Sequence, residues 1–288
     1  MSDVVLQQLL NGLSVGCGYA LIALGLTLAF GVLHVINFGH GEVVMLGALT
    51  VVIATTRFGV PYLAALPLAA VVGAGVGWIV NALAVAPLLD RADGRTDILL
   101  TTFALGVLCN QVVLSLWGPA PARVDGIEGS VHLGDLSLSG QRLFVMGASV
   151  LTLLVLERVM KKTRFGVEMR AVAQSALAAR VVGIDVRRVG TRTFVVAALI
   201  AGFGGALLAP ITSFSPMLGQ AVLIKAFVIV VIGGLGSAVG AVLCGLLVGI
   251  LGAMLGFYME DGVATAVIYS LMVVVLLVKP NGLLGQKA

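Results

Sequence analysis

Long apolar runs separated by short polar joints dominate this chain. A helix needs about 20 apolar residues to cross the hydrocarbon core of a bilayer, and the sequence offers many runs of that length. A soluble domain must instead cover its surface with polar groups and carries about 25% charged residues. Here charged residues make up 10% and hydrophobic residues 60% of 288 positions. The sequence therefore predicts an all-α polytopic membrane protein.

Nine apolar segments are predicted to be membrane helices, within one transmembrane domain that covers 1–288. They are 5–30, 36–56, 61–85, 98–117, 142–160, 193–213, 217–234, 239–259 and 262–279. If 36–56 or 217–234 is re-entrant, eight segments cross the membrane and the N-terminus must be assigned to the other side. The prediction is thus eight to nine transmembrane segments with broken or re-entrant helices.

Positive charge is concentrated in one part of the chain. Nine of the 17 Lys and Arg residues lie between Arg158 and Arg192, and none precedes Arg57. Basic loops between apolar spans stay on the cytoplasmic side, so we expect a cytoplasmic loop at about 161–192 and a cytoplasmic C-terminus. The turn-rich, acidic-leaning loop at about 118–141 is then periplasmic, and the N-terminus lies on the same side.

Two other classes of function are not supported. The basic residues lack the interleaved aromatic residues of a nucleic-acid interface, so no nucleic-acid partner is expected. The three cysteines are far apart and lie in apolar sequence, so no metal site and no disulfide framework are predicted.

The sequence VINFGHGEVVMLG (35–47) places Asn37, His40 and Glu42 among apolar residues. On an unbroken helix His40 and Glu42 are about 200° apart, so one of them faces lipid. A lipid-facing carboxylate costs about 2.5–3.5 kcal/mol. A helix break at Gly39 and Gly41 avoids this cost and starts a new helix near Glu42, where the helix dipole favours negative charge. Two interpretations stay open: a polar clamp between helices, or the lining of a substrate path or gate.

Further polar residues interrupt later segments. Asn110 lines a substrate path or bonds to neighbouring helices, and Lys225 either lines the path or extends from the start of its apolar run to the interface. A second break is predicted at Gly233, Gly234 and Gly236, because glycines this dense disfavour a continuous helix.

The basic loop contains a helical pattern over 171–183 that Gly183 is placed to stop. So many small apolar residues on an exposed helix favour close docking into a cleft of another protein. An interfacial helix on anionic lipid is the alternative. The candidate docking residues are Arg170, Ala173, Gln174, Ala176, Ala179 and Gly183.

The sequence contains no nucleotide-binding or hydrolase motif, so we predict a transport subunit, not an enzyme, with no cofactor of its own. Uphill transport then needs an ion gradient or another subunit. A secondary transporter or channel using His40 and Glu42 for ion coupling is the alternative function. An intramembrane enzyme with the same two residues as acid and base lacks a nucleophile or metal set.

The chain resembles the membrane permeases of bacterial ABC importers for branched-chain amino acids, amides or urea, most closely the shorter of their two paired permeases. The likeness is carried by residues 9–48, by TRFGVEMRAVAQSALAARVVGID (163–185), by KAFVIVVIGGLGSAVGAVLCGLLVGI (225–250) and by VLLVKPNGLLG (275–285). In many importers the coupling motif opens with Glu and two alanines, and Gln174 followed by Ser175 departs from that pattern.

The resemblance implies a passive half of a pathway in the bacterial inner membrane, most in keeping with branched-chain amino acids as substrate. The implied partners are a second permease, in a heterodimer or a homodimer, two cytoplasmic ATPases that bind ATP, and a periplasmic binding protein. Segment 171–183 corresponds to the coupling helix that seats in the ATPase.

Overall fold

A computed structural model describes residues 2–89, 91, 93–133 and 136–285. These residues form eleven α-helices and one two-stranded antiparallel hairpin, which confirms the all-α prediction. The elements are α1 (Ser2–Leu33), α2 (His40–Phe58), α3 (Tyr62–Val80, continued by a π-helical turn Asn81–Val85), α4 (Gly94–Trp117), β1 (Ser130–Leu133), β2 (Leu136–Ser139), α5 (Gly140–Lys162), α6 (Arg164–Gln174), α7 (Ala176–Val181), α8 (Val186–Thr212), α9 (Leu218–Gly233), α10 (Ala238–Tyr258) and α11 (Asp261–Val278).

Eight of the described helices are long and apolar enough to cross a membrane. The short apolar helix is α9, whose 16 residues span about 24 Å, less than the hydrocarbon thickness of about 30 Å. The predicted segment 36–56, by contrast, becomes a helix of 19 residues, α2.

One end of the helical bundle carries the hairpin β1–β2. Gln7 near the start of α1 donates a hydrogen bond from Nε2 to the Ser137 carbonyl oxygen at 2.8 Å. Phe214, just beyond α8, pairs with Ala122 in the loop that leads to the hairpin. The start of α1 and the end of α8 therefore lie at the hairpin end.

At the opposite end of the bundle lie α6, the C-terminal tail and the end of α9. The Leu283 amide donates to the Ile232 carbonyl oxygen at 2.8 Å. The last turn of α1 shares a cavity with α6 and with residues 235–238. The chain thus crosses between the two ends nine times, and the described start and tail lie at opposite ends.

Two of these crossings, 34–58 and 213–233, each consist of a non-helical stretch followed by a helix, and they run in opposite directions. Residues 34–39 join α1 to α2, and residues 213–217 join α8 to α9. Among the described residues, His34 and Ser213 are the non-glycine residues with a positive φ, 52° and 59°, and each directly follows its helix. A residue with a positive φ turns the chain sharply, so the stretches 34–39 and 213–217 begin with the same kind of turn.

Close backbone contact holds the centre of the bundle together. A Cβ atom added to Gly249 of α10 would overlap the backbone of Gly16 in α1, so only glycine allows this approach. Helices α4, α5 and α11 lie at the periphery and leave most of their apolar surface exposed. That surface faces lipid or other subunits.

The basic segment differs from the prediction of one helix over 171–183. Ser175 has extended backbone and separates α6 from α7. Its hydroxyl accepts a hydrogen bond from the Ala178 amide at 3.2 Å. Serine favours such an N-terminal cap over a helix interior, and the sequence prediction overlooked this. Gly183 does follow the end of α7, with a φ of 85°.

Candidate functional site

The first turns of α2 and α9 meet inside the bundle. A Cβ added to Gly219 would lie 2.9 Å from the Gly41 carbonyl oxygen, and one added to Gly41 would collide with the Gly219 carbonyl oxygen. Glycine at both positions is therefore what allows the two helix starts to touch. His40 bonds to Ile22, eleven residues before the end of α1, which is about 16 Å from that end. The meeting point thus lies deep between the two ends of the bundle.

Asn37 and His40 are buried structural contacts, with 3% and 1% exposure. Asn37 Oδ1 accepts a hydrogen bond from the Gly39 amide at 2.9 Å and stabilises the turn into α2. His40 Nε2 lies 3.0 Å from the Ile22 carbonyl oxygen, which only accepts, so this nitrogen carries the proton. Neither side chain reaches an open surface in this structure.

The break near these residues lies at 34–39, slightly earlier than predicted. Gly39 is the N-cap of α2, whereas Gly41 lies in its first turn, so Gly41 serves helix contact and not the break itself. The second predicted break is a turn after α9. Gly233 is the last residue of that helix, and Gly234 and Gly236 follow with φ values of 103° and 85°.

Glu42 is the partly exposed member of the group, in the first turn of α2. Its carboxylate lies between the starts of α2 and α9, close to Gly219 and Gly106. Its Oε2 atom is buried and has no hydrogen-bond partner. Two helix N-termini favour a negative charge at this point, which explains how a carboxylate is tolerated there.

Asn110 joins α4 to the non-helical stretch 213–217 that precedes α9. Its Nδ2 donates to the Pro216 carbonyl oxygen at 2.7 Å. The next residue, Gln111, is exposed on α4, as is Gln220 on α9. Gln220 was not predicted as a site residue, although Gln220 follows Gly219 as Glu42 follows Gly41. Comparing the two helix starts would have found it.

Lys225 lies at the middle of α9 and not at the start of its apolar run as predicted. Its Nζ donates to the Tyr19 hydroxyl at 3.2 Å, so the side chain turns toward α1 and does not extend to the interface. The aromatic partner was missed, because the two residues are 206 positions apart in the sequence.

The predicted docking residues of α6 and α7 divide into three groups. Arg170, Ala173 and Gln174 line a cavity of about 620 Å³ shared with the end of α1. Ala176 and Gly183 are exposed. Ala179 is only 2% exposed and packs within the chain.

Three larger apolar residues of this region were not among the predicted docking residues. Leu177, Val181 and Val182 are 75%, 81% and 74% exposed. We call them the α7 patch. Their hydrophobicity in an exposed basic segment was the available signal.

The chain is similar to known membrane permeases along almost its whole length. The profile of the family described as "Branched-chain amino acid transport system / permease component" matches residues 8–277. The chain is 32% identical to the high-affinity branched-chain amino acid transport system permease protein BraD of Pseudomonas aeruginosa, over 98% of this chain and 96% of that protein.

Two proteins of Escherichia coli (strain K12) are also similar. The permease protein LivH of a high-affinity branched-chain amino acid transport system is 31% identical over 98% of this chain and 96% of its own length. The permease protein LivM is 25% identical, over 92% of this chain and 67% of its own length. The length of the chain thus matches the shorter of these two permeases.

Proposed function

Because the chain belongs to the family of permease components of branched-chain amino acid transport systems, we propose that it forms half of the membrane pathway of an ATP-driven importer. The proposed substrates are leucine, isoleucine and valine, delivered by a periplasmic binding protein. The observation that carries this proposal is the match to a dedicated permease family over residues 8–277. It disfavours the alternative of an ion-coupled secondary transporter.

We place the hairpin end outside a bacterial inner membrane and the α6–α7 end in the cytoplasm. The support is the concentration of nine of the 17 basic residues between Arg158 and Arg192. ATP is bound and hydrolysed by two separate cytoplasmic subunits. The α7 patch is their contact, since exposed apolar side chains at the end of a basic segment need a protein cover.

The second permease is expected to pack against the open surface that includes α4. Helix α4 is largely exposed and carries the polar Gln111 in its apolar surface. A lipid-facing amide is costly, so a protein partner or an aqueous path is favoured at that surface. A heterodimer is supported by the similarity of the chain to both LivH and LivM of one organism.

Glu42 and Asn110 are proposed to line the path or gate. Their support is the partial exposure of both residues, the unpaired Oε2 atom of Glu42 and the meeting of the starts of α2 and α9 at this point. Interrupted helices inside a membrane protein are tolerated where they line a cavity. Asn37 and His40 hold the break in shape behind them.

The test is reconstitution of the chain with its second permease, ATPase subunits and binding protein in proteoliposomes. We expect uptake of labelled leucine that requires ATP and the binding protein. A complex whose ATPase subunits bind ATP without hydrolysing it is the matched control and should be inactive. Uptake that persists without the ATPases and stops when a protonophore is added would instead establish the ion-coupled alternative.

A further inference from the structure

The middle of α9 carries a lysine for which the described part of the chain supplies no acidic partner. Lys225, Tyr19 and Tyr269 each occupy the middle of their helix, α9, α1 and α11. Lys225 Nζ is 3.2 Å from the Tyr19 hydroxyl and 5.4 Å from the centre of the Tyr19 ring. Tyr269 packs against the cluster of buried residues that contains Tyr19.

The contacts of Lys225 leave its charge uncompensated. Within the described part of the chain no carboxylate lies within 4.0 Å of Nζ, the limit for an ion pair. The Tyr19 hydroxyl and ring occupy one side of an ammonium group that has three N–H donors. A cation at membrane depth is costly and calls for an opposite charge, which the described part of the chain does not supply.

Lys225 borders an exposed strip of α9 formed by Gln220, Ala221 and Ile224. Gly219, against which the Glu42 carboxylate lies, is buried on the far side of α9 from this strip. Helix geometry places Gly219 and Lys225 about 9 Å apart along α9, and the arc between them that contains the strip covers about 240° of the helix. A positive and a negative side chain thus lie on either side of the exposed strip.

We infer that Lys225, with the hydroxyl group of Tyr19, forms a binding station for the carboxylate of an amino acid that passes along this strip. The inference rests on the proposed importer function. A zwitterionic amino acid brings the negative charge that Lys225 lacks, and Glu42 on the other side attracts its ammonium group. A fixed positive charge halfway along the path lowers the free-energy cost of moving a carboxylate through a low-dielectric environment.

The test measures leucine uptake per ATP hydrolysed in the complete reconstituted importer at saturating loaded binding protein. Lys225→Met keeps the length of the side chain but removes its charge. We expect it to assemble normally and to lower this ratio at least about tenfold, in line with the loss of a hydrogen bond to a charged group. Lys225→Arg should retain most of the transport, and Lys279→Met at the exposed end of α11 is the matched control that should match the wild type.

A second variant separates charge from shape. In a chain whose native cysteines are replaced, Lys225→Cys should be inactive and should regain transport when a methanethiosulfonate reagent attaches an aminoethyl group. A neutral propyl reagent should not restore it.

Wild-type uptake by Lys225→Met, or equal rescue by both reagents, overturns the inference. Loss of the second permease from the Lys225→Met complex also overturns it, because the missing charge is then a partner's carboxylate. A wild-type complex without ATP-driven uptake would instead count against the importer function itself.

Discussion

Glu42 differs from its polar neighbours in what it can do. His40 and Asn37 satisfy backbone groups of their own chain and are buried. Glu42 keeps one oxygen without a partner and is partly exposed beside α4 and α9. An unpaired buried oxygen is costly to maintain, so a role that depends on the charge is favoured over simple packing.

Substitutions of Glu42 distinguish a gate residue from a polar clamp between helices. Glu42→Gln keeps the shape of the side chain and removes its charge. We expect it to assemble with its partners and to lower ATP-driven leucine uptake at least about tenfold, as expected when a charge-assisted interaction is lost. Glu42→Leu, which also removes the hydrogen bonding, reports on folding. Normal uptake by Glu42→Gln together with misfolding of Glu42→Leu would show that the residue is a clamp.

At the scale of single elements, α7 presents two different surfaces. Ala179 packs into the chain, whereas the α7 patch of Leu177, Val181 and Val182 lies open. The division arises because Ser175 starts a new helix and thereby resets which residues face outward. A surface made of larger apolar side chains replaces the alanine face predicted from the sequence.

Substitutions in α7 test this division. Leu177→Asp should insert and fold normally but lose co-purification of the ATPase subunits, since it places a charge in an apolar contact. Ala176→Trp, at an exposed position, should also fold. Ala179→Trp should lower the yield of folded chain because it overpacks a buried position, at a cost of about 1–3 kcal/mol. A folded Leu177→Asp chain that retains its ATPase subunits would contradict the docking assignment.

The contact between α1 and α10 gives a second prediction at this scale. Gly249→Ala should lower the thermal unfolding temperature of the purified complex, because the added Cβ overlaps the Gly16 backbone. Gly252→Ala in the same helix is the matched control, with its nearest neighbouring atom, Ile268 Cδ1, 3.8 Å from the added Cβ. The control should be neutral or stabilising by up to about 1 kcal/mol, because alanine favours helix over glycine. Equal unfolding temperatures for both variants would refute the close-contact assignment.

At the scale of the whole molecule, two crossings, 34–58 and 213–233, are only partly helical and run in opposite directions. Their helix starts meet at Gly41 and Gly219, away from either end of the bundle. Opposed units of this kind bring two helix N-termini to one point, where they favour anionic groups. The path proposed for the amino acid runs along the open side of this junction.

The single crossing by α5 predicts opposite exposure for Ser130 in the hairpin and Ser175 between α6 and α7. Both are exposed positions. In a chain without its native cysteines, Ser130→Cys should react with an impermeant maleimide in intact spheroplasts. Ser175→Cys should react only after lysis. Reaction of both positions from the same side would show that the number of crossings between them is even.

The membrane class, the positions of the apolar segments and the presence of a break before Glu42 could all be predicted from local sequence. These properties depend on local sums of hydrophobicity and on the conformational preferences of neighbouring residues. For the same reason the basic segment could be identified from composition alone.

Only the tertiary structure decided which polar residues are buried and which stay open. His40 and Glu42 are two positions apart, yet one bonds to Ile22 and the other opens toward α4 and α9. The Tyr19 partner of Lys225 and the contact of Gly41 with Gly219 join residues about two hundred positions apart. Hydrophobic periodicity reports only which face of a helix is apolar. The partner of a side chain is set by helices that pack from distant parts of the chain.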